Sequence, residues 1–200
     1  MSTEVVVAFI TGIIGPVVIL YLKYKLDKNK KPDIVKEALQ VSELILTKID
    51  DIKEEFDVDR VWIMQFHNGG HFYPTGKSIA KFSIIYETVS LNTSSIQMNF
   101  QSIPVNLFSR SINELLENDI IEIYDFNDET VATYGLRYIA EETACKSGYY
   151  FAIKTIDDKF IGVLGVNYTK EIVKLDMESV NHISNHAASI GGVLMGHLNK

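Results

Sequence analysis

Basic residues and cysteine are both scarce in this chain. Its 200 residues hold 19 Lys and Arg against 26 Asp and Glu, which gives a net charge of −7 at pH 7. The first 31 residues contain five lysines against Glu4 and Asp27, so they carry +3 and the remainder carries −10. Because Lys and Arg supply the affinity of proteins for phosphate backbones, this acidity argues against nucleic acid as a partner. The lone Cys145 cannot form an intrachain disulfide, which fits a reducing cytoplasm.

Motifs for catalysis are also lacking. The sequence shows no Ser-His-Asp order, no nucleophile elbow and no paired-carboxylate motif, so it indicates no catalytic residue. We therefore predict a protein without enzymatic activity. Whether the protein binds a cofactor is unknown from the sequence. An enzyme that uses Cys145 stays as an alternative, since the neighbouring Lys146 could lower the pKa of its thiol. A buried, unreactive cysteine is the more ordinary interpretation.

The N-terminal region contains one long apolar run. Val5 to Leu22 is eighteen residues without a charge, and a collar of lysines follows it almost at once. This length is near that of a membrane-spanning helix, and the charge order is the reverse of a cleaved signal peptide. We predict a membrane anchor over residues 1–31 that crosses once, with the soluble part on the cytoplasmic side that the lysines mark. A buried core helix is the alternative.

Residues 32–58 have the pattern of an amphipathic helix that connects the anchor to the rest. Small and apolar residues recur every three or four positions: Val35, Ala38, Ser42, Ile45, Ile49, Ile52 and Phe56. Two interpretations fit this stripe. It either covers the chain's own domain or forms the seam of a parallel dimer, and we predict the seam, in a homodimer or higher homo-oligomer.

Residues 59–200 alternate between strand-like and helix-like patterns. Strands are predicted over Arg60–Phe66, Ile79–Val89, Ser94–Phe100, Ile120–Tyr124, Tyr149–Thr155 and Phe160–Tyr168, with helices over 104–118, 129–142 and 175–198. The turn Asp157-Asp158-Lys159 makes the last two strands a hairpin. Local pairing of this kind predicts an α+β domain, with one antiparallel sheet and its first and last helices together on one face.

The hairpin and the closing helix resemble a GAF domain, a sensory fold related to PAS. The residues that carry the resemblance are Gly148–Ile153, then Phe160–Val166, then Asp176-Met177-Glu178 and the helix through Leu198. It implies a GAF-like ligand-binding or signalling domain. The middle of the chain departs from the family's ligand-binding pattern, so no family ligand is carried over.

A second resemblance is to the holin-type lysis proteins of large tailed phages. Some of these join one N-terminal membrane helix to an α+β domain of similar size. That resemblance implies oligomerised spans that breach the membrane, with the domain as the regulatory part. The lysine collar argues against it, because those proteins place the soluble domain on the outer side.

The segment His67–Ser78 is the most unusual in the domain. Its glycines, Lys77 and Ser78 resemble a phosphate-binding loop, but one residue too many separates Gly70 from Gly76. We predict instead that the segment lines a ligand pocket. The pocket candidates are His67, Asn68, His71, Tyr73, Lys77, Glu87, Arg137 and Cys145. His67, Glu87 and Arg137 could form a polar cluster, but the sequence does not show that they meet.

His182 and His186 are four residues apart, a spacing that can bind zinc. The metalloprotease motif needs Glu directly after the first His, and Ile183 stands there instead, so no metal site is predicted. Taken together, the sequence predicts a bacterial or phage module on a membrane anchor. It would dimerise through its end helices and bind a small molecule or a partner protein, with the holin-like lysis protein as the alternative.

Overall fold

The computed structural model describes residues 3, 10–28, 33–71, 74–133 and 135–198. They fall into two compact units, residues 1–38 and residues 39–200, and each is described by itself. The second unit therefore contains most of the helix that the sequence predicts as a connecting element.

The first unit is helical. A π-helical turn at Ile10–Ile14 leads into α1, Gly15–Lys28, and a further helix, α2, begins at Ile34 and ends at Glu55. The Asp33 carboxylate caps α2 by accepting hydrogen bonds from the backbone N–H groups of Val35 and Lys36. Residues 5–9 of the predicted membrane span lie outside the described residues. Within the part of the chain that is described, no helix is long and apolar enough to cross a membrane.

A six-stranded antiparallel sheet organises the second unit. The strands are β1 Arg60–His71, β2 Ser78–Val89, β3 Ile103–Pro104, β4 Ile120–Ile123, β5 Ser147–Lys154 and β6 Phe160–Tyr168. They lie in the order β3-β2-β1-β6-β5-β4. Each of the hairpins β1–β2 and β5–β6 is local in sequence, and β1 pairs with β6 to join them at the centre of the sheet. The α+β class and the antiparallel sheet are thus confirmed.

Helices cover both faces of this sheet. On one face α2 and the closing helix α5, Met177–Leu198, pack against strand residues such as Val61 and Ile63. The other face holds a second core, in which Trp62 and Met64 of the same strand meet α3, Ser109–Asn118, and α4, Gly135–Glu142. Because neighbouring residues of a strand point to opposite faces, β1 supplies both cores.

The assignment of Val35, Ala38, Ser42, Ile45, Ile49, Ile52 and Phe56 to a dimer seam must be corrected. Ile45, Ile49 and Ile52 are fully buried in the first core of this chain, so they are not accessible to a second copy. Ser42 lies beside the Tyr86 hydroxyl, and Phe56 packs against the same core. From Ser42 to Phe56 the stripe repeats regularly because it covers the chain's own sheet, whereas Val35 near the start of the helix is 69% exposed.

Two further details of the sequence interpretation were wrong. β1 continues to His71, beyond its predicted end at Phe66, and the predicted strand Ser94–Phe100 is irregular. The closing helix α5 lies beside α2, where Lys48 Nζ donates a hydrogen bond to Ser189 Oγ at 2.9 Å. Gly191 brings the same helix close to the carbonyl of Lys154, at the end of β5.

Candidate functional site

A cavity of about 60 Å³ lies inside the second core, between the sheet and the helices α3 and α4. Its walls come from β1, β2, β5, β6, both helices and the segment that follows β2. They are mostly apolar: Trp62, Met64, Phe82, Ile84, Ile96, Phe100, Phe108, Ile112, Leu115, Leu136, Ile139, Ala140 and Val163, with the polar groups Ser111, Thr143, Cys145, Tyr150 and Asn167.

Trp62 forms part of the sheet-side wall of this cavity, and a glycine makes room for its ring. Gly165 pairs with Trp62 across β1 and β6, and a Cβ atom at Gly165 would overlap the indole. The Trp62 ring also packs against Tyr150, with 5.9 Å between the ring centroids. A side chain at position 165 would therefore displace the wall itself.

A short chain of buried hydrogen bonds fixes the polar side of the cavity. The indole Nε1–H of Trp62 donates to Asn167 Oδ1 at 2.7 Å, and Asn167 Nδ2 donates to the Tyr150 hydroxyl at 3.2 Å. Tyr150 accepts in the second bond, so its own hydroxyl proton remains able to donate to a molecule in the cavity. Burial raises the pKa of Tyr150 well above its ordinary value, which keeps that proton in place at neutral pH.

Cys145 also lines the cavity, and its thiol is protonated. Its Sγ donates a hydrogen bond to the carbonyl of Ser147 at 3.2 Å. Desolvation is the largest influence and raises the pKa of the thiol to about 12, against the opposing effect of the Arg60 charge. Since the thiolate is the nucleophilic form, the position does not favour the enzyme alternative.

Ser111 is the most informative group in the wall. It lies on α3, is 3% exposed, and its Oγ has no hydrogen-bond partner among the described residues. A buried hydroxyl without a partner costs about 1–3 kcal/mol. This unmatched hydroxyl on a largely apolar cavity is the feature that a bound molecule would satisfy.

Glu87 was predicted to line the ligand pocket, but it is not among the residues of the cavity wall. Its side chain is 3% exposed and lies 3.6 Å from Nε of the equally buried Arg60. The carboxylate also accepts hydrogen bonds from the backbone N–H groups of Ile96 and Gln97 and from the Ser95 hydroxyl. These bonds hold the segment that carries Ile96 into the cavity wall.

His67, Glu87 and Arg137 do not form a cluster, since each has a different partner. His67 is hydrogen-bonded to Ser83 Oγ at 2.9 Å, and Arg137 pairs with Glu141 at 3.5 Å. A strand that extends through position 71 carries His67 away from Glu87, while α4 fixes Arg137 on a separate surface.

Of the eight predicted pocket residues, Cys145 lines the cavity. Asn68, His71 and Lys77 are exposed, none of them contributes to the cavity wall, and Tyr73 lies outside the described residues. The cavity residues that the sequence interpretation missed include Trp62, Ser111, Tyr150 and Asn167. The one available signal was the alternation in β1, which predicts that Trp62 and Met64 share a face.

A second cluster of polar side chains lies where α2 ends against α5. His182 Nδ1 is 3.0 Å from one carboxylate oxygen of Glu55, and His186 Nε2 is 3.8 Å from the other. Desolvation, followed by the charge of His182, lowers the pKa of His186 below its ordinary value. The edge of Phe56 contacts the His182 ring at 5.7 Å between centroids.

Solved structures identify the fold. The blue-light absorbing form of the PixJ GAF domain from Thermosynechococcus elongatus superimposes with a TM-score of 0.63 at 13% identity, over 82% of this chain and 89% of that chain. The fold is that of a GAF domain. The GAF domain region of a putative membrane protein from Geobacter sulfurreducens gives 0.61 at 12% identity, over 82% and 98%. A phycocyanobilin-bound GAF domain from a cyanobacterial phytochrome gives 0.58 at 16% identity, over 82% and 91%.

These similarities are to the fold alone, because the identities are so low. No protein-family model matches the chain, and no curated protein matches it. The resemblance to holin-type lysis proteins finds no support among the comparisons.

Proposed function

We propose that this GAF domain is a ligand-binding sensory module whose ligand occupies the cavity between the sheet and α3–α4. The observation that carries the proposal is the unpartnered hydroxyl of Ser111 in a largely apolar wall. Ligand sites combine such walls with a few polar groups that orient the ligand. The fold supports a sensory role, since its structural neighbours include photoreceptor domains.

The wall chemistry suits a neutral molecule with an apolar body and one or two hydroxyl or carbonyl groups. Ser111 can donate or accept a hydrogen bond, and Tyr150 can donate one. The thiol of Cys145 is protonated, so none of the described residues that line the wall carries a charge at neutral pH. A charged ligand would lose its hydration there without a counter-charge in the wall.

The volume limits the size of the ligand. A dry cavity of about 150 Å³ holds benzene, and this one measures about 60 Å³. In the conformation described, the site therefore fits a molecule smaller than benzene. A bilin, such as the chromophore of the phytochrome domain, would require the wall formed by Ile96, Phe100 and α3 to move outwards.

Thermal unfolding of the full-length protein with a graded panel of alcohols, amides and ketones smaller than benzene tests the proposal. We expect panel members that fit to raise the unfolding midpoint in a saturable manner. Ala140→Val, which adds two methyl groups inside the cavity, should abolish the shift while the protein stays folded. A shift of equal size in wild type and Ala140→Val would contradict the proposal.

We infer, as a separate proposal, that the N-terminal segment attaches the domain to a membrane from the cytoplasmic side. Supporting it are the uncharged run over residues 5–22 and the exposure of Val17, Ile19, Leu20 and Tyr21, which are 59–66% exposed on α1. Cysteine labelling of intact cells from outside should modify Ser2→Cys and spare the exposed Leu91→Cys. The reverse pattern would put the domain outside.

We also propose self-association through the end helices, on the two exposed flanks of α2. Leu39 and Leu46 lie on one flank of the buried stripe and Leu44 lies on the other, and all three are 39–64% exposed. We expect Leu44→Lys with Leu46→Lys to convert a dimer to a monomer in light scattering. A wild-type protein that is monomeric in detergent would exclude such a dimer.

A further inference from the structure

A triad of two imidazoles and one carboxylate lies on the sheet face opposite the cavity. Glu55 is the last residue of α2, and His182 and His186 lie one turn apart on α5. Their three potential ligand atoms all lie within 4.8 Å of one another. Residues four apart share one face of a helix, so both imidazoles of α5 reach the same carboxylate.

We propose that Glu55, His182 and His186 form a site for a divalent transition-metal ion such as Zn²⁺. Donor atoms about 2.0–2.2 Å from a tetrahedral ion lie roughly 3.3–3.6 Å from each other. The observed separations of 3.0 Å and 3.8 Å from the Glu55 oxygens bracket this range. Small side-chain rotations therefore suffice to place an ion between the three groups.

The donor set selects the class of ion. Imidazole and carboxylate ligands suit zinc, nickel, cobalt and iron, whereas magnesium and calcium prefer oxygen ligands throughout. Three protein ligands leave one position of a tetrahedral ion for water or another small ligand. The ligands are 20–51% exposed, so an ion reaches them directly from solvent.

The surroundings hold the ligands in position. Phe56 follows Glu55 and contacts the His182 ring by its edge, while its carbonyl accepts a 2.9 Å hydrogen bond from Tyr168 of β6. Asp51, one turn before Glu55 on α2, places a negative charge near His186. Lys48 places a positive charge near the same ring, and its Nζ donates a hydrogen bond to Ser189 Oγ at 2.9 Å. Metal binding would tie the end of α2 to the first half of α5 and so stabilise the helical layer.

Titration of the full-length protein with ZnCl₂ and CoCl₂ tests the site. We expect one equivalent of Zn²⁺ to bind saturably and to raise the unfolding midpoint. Co²⁺ should give the visible absorption of a four-coordinate site, and Zn²⁺ should displace it. His182→Gln with His186→Gln should weaken Zn²⁺ binding by more than about tenfold. Loss of a residue that only hydrogen-bonds to a metal ligand already weakens metal affinity about tenfold or more, and these two residues are the ligands themselves.

Two variants keep the test decisive. Glu55→Gln retains the shape of a half-exposed side chain outside the core and should weaken binding by a similar factor while unfolding as wild type does without metal. His67→Ala with His71→Ala removes the same number of imidazoles from the far end of β1 and should leave binding unchanged. Retention of wild-type affinity by either triad variant, or loss of binding only in the His67/His71 control, would overturn the site.

Discussion

Trp62 and Asn167 are joined by a buried hydrogen bond, in which the indole Nε1–H donates to Oδ1 at 2.7 Å. The amide of Asn167 also donates to the Tyr150 hydroxyl, so one side chain links three adjacent strands in the sheet-side wall of the cavity. Trp62 is the single tryptophan of the chain, which makes this relationship directly observable by fluorescence.

Asn167→Leu should destabilise the protein, because it leaves the Trp62 donor buried without an acceptor. A buried donor that loses its partner costs about 1–3 kcal/mol. Urea unfolding followed by Trp62 fluorescence measures this loss. Asn113→Leu, on the exposed side of α3, is the control and should change stability by less than about 0.5 kcal/mol. Equal stability of the two variants would show that the bond contributes nothing.

Ser111→Ala should have opposite effects on stability and on binding. Removal of a buried hydroxyl without a partner should raise the free energy of unfolding by about 1–3 kcal/mol, since its burial cost disappears and no hydrogen bond is lost. Ligand binding should weaken about five- to tenfold for panel members with a hydroxyl group, the equivalent of one hydrogen bond.

Ser147→Ala is the matched control for Ser111→Ala, because Ser147 is also a buried serine but its hydroxyl has hydrogen-bond partners. Its Oγ donates to the Tyr124 carbonyl at 2.9 Å and accepts from the Val173 N–H at 2.8 Å. We expect a loss of about 1–3 kcal/mol in denaturant unfolding. A similar loss in Ser111→Ala would mean that its hydroxyl has a partner in solution.

Ile45→Lys with Ile52→Lys should unfold the domain instead of dissociating a dimer. Both side chains are fully buried in the first core, and a buried charge without a partner is among the largest single destabilisations known. Circular dichroism reports the loss of fold. The pair Leu44→Lys with Leu46→Lys, on the exposed flanks of the same helix, should stay folded. A folded, monomeric Ile45/Ile52 variant would show that these residues form a dimer interface and not the core of the domain.

Asp59 should make stability depend on pH in the acid range. Burial opposes its ionisation, but hydrogen bonds from Lys170, the Thr169 N–H and Ser90 prevail and lower the pKa of Asp59 from 3.8 to about 2. A carboxyl group whose folded pKa is depressed stabilises the fold above its unfolded pKa and loses that contribution as pH falls through the folded value. The contribution, on the order of 1–2 kcal/mol, should disappear between about pH 4 and pH 2.

Asp59→Asn tests this dependence. The variant should be less stable at pH 7 and should show a shallower fall in unfolding free energy between about pH 4 and pH 2. Asp157→Asn is the control, because that carboxylate pairs with Lys159 on the exposed β5–β6 turn, where solvent screens the interaction. It should leave the acid profile close to that of wild type. An acid profile of Asp59→Asn that matches wild type would show that Asp59 is not responsible.

The fold could be predicted from the sequence where the hydrophobic pattern of neighbouring residues defines the strands and helices. The β5–β6 hairpin and the closing helix follow from patterns within about fifty residues, and their outline is confirmed. The buried stripe of α2 was not assignable from sequence, because a repeat of threes and fours looks the same whether the helix covers its own sheet or a second copy. Residues 67–71 combine turn-forming types with a strand conformation that pairing with β2 imposes.

The cavity was less predictable than the fold because its wall is assembled from distant segments. Trp62, Ser111 and Asn167 belong to two strands and a helix that only the tertiary structure brings together. Glu55 was missed for the same reason, since nothing in the sequence places the end of α2 beside His182 and His186. A sequence motif can reveal a binding site whose residues lie on one helix, strand or loop. It does not reveal a site whose residues come from separate helices and strands.

The ¹⁹F NMR spectrum of the full-length protein labelled with 5-fluorotryptophan tests the ligand site most directly. Trp62 gives the single resonance and lies in the cavity wall, so a molecule that enters must shift it. The account predicts saturable shifts with hydroxyl-bearing panel members, weaker binding in Ser111→Ala and no shift in Ala140→Val. Binding detected by calorimetry that leaves the Trp62 resonance unmoved would place the ligand elsewhere and contradict the account.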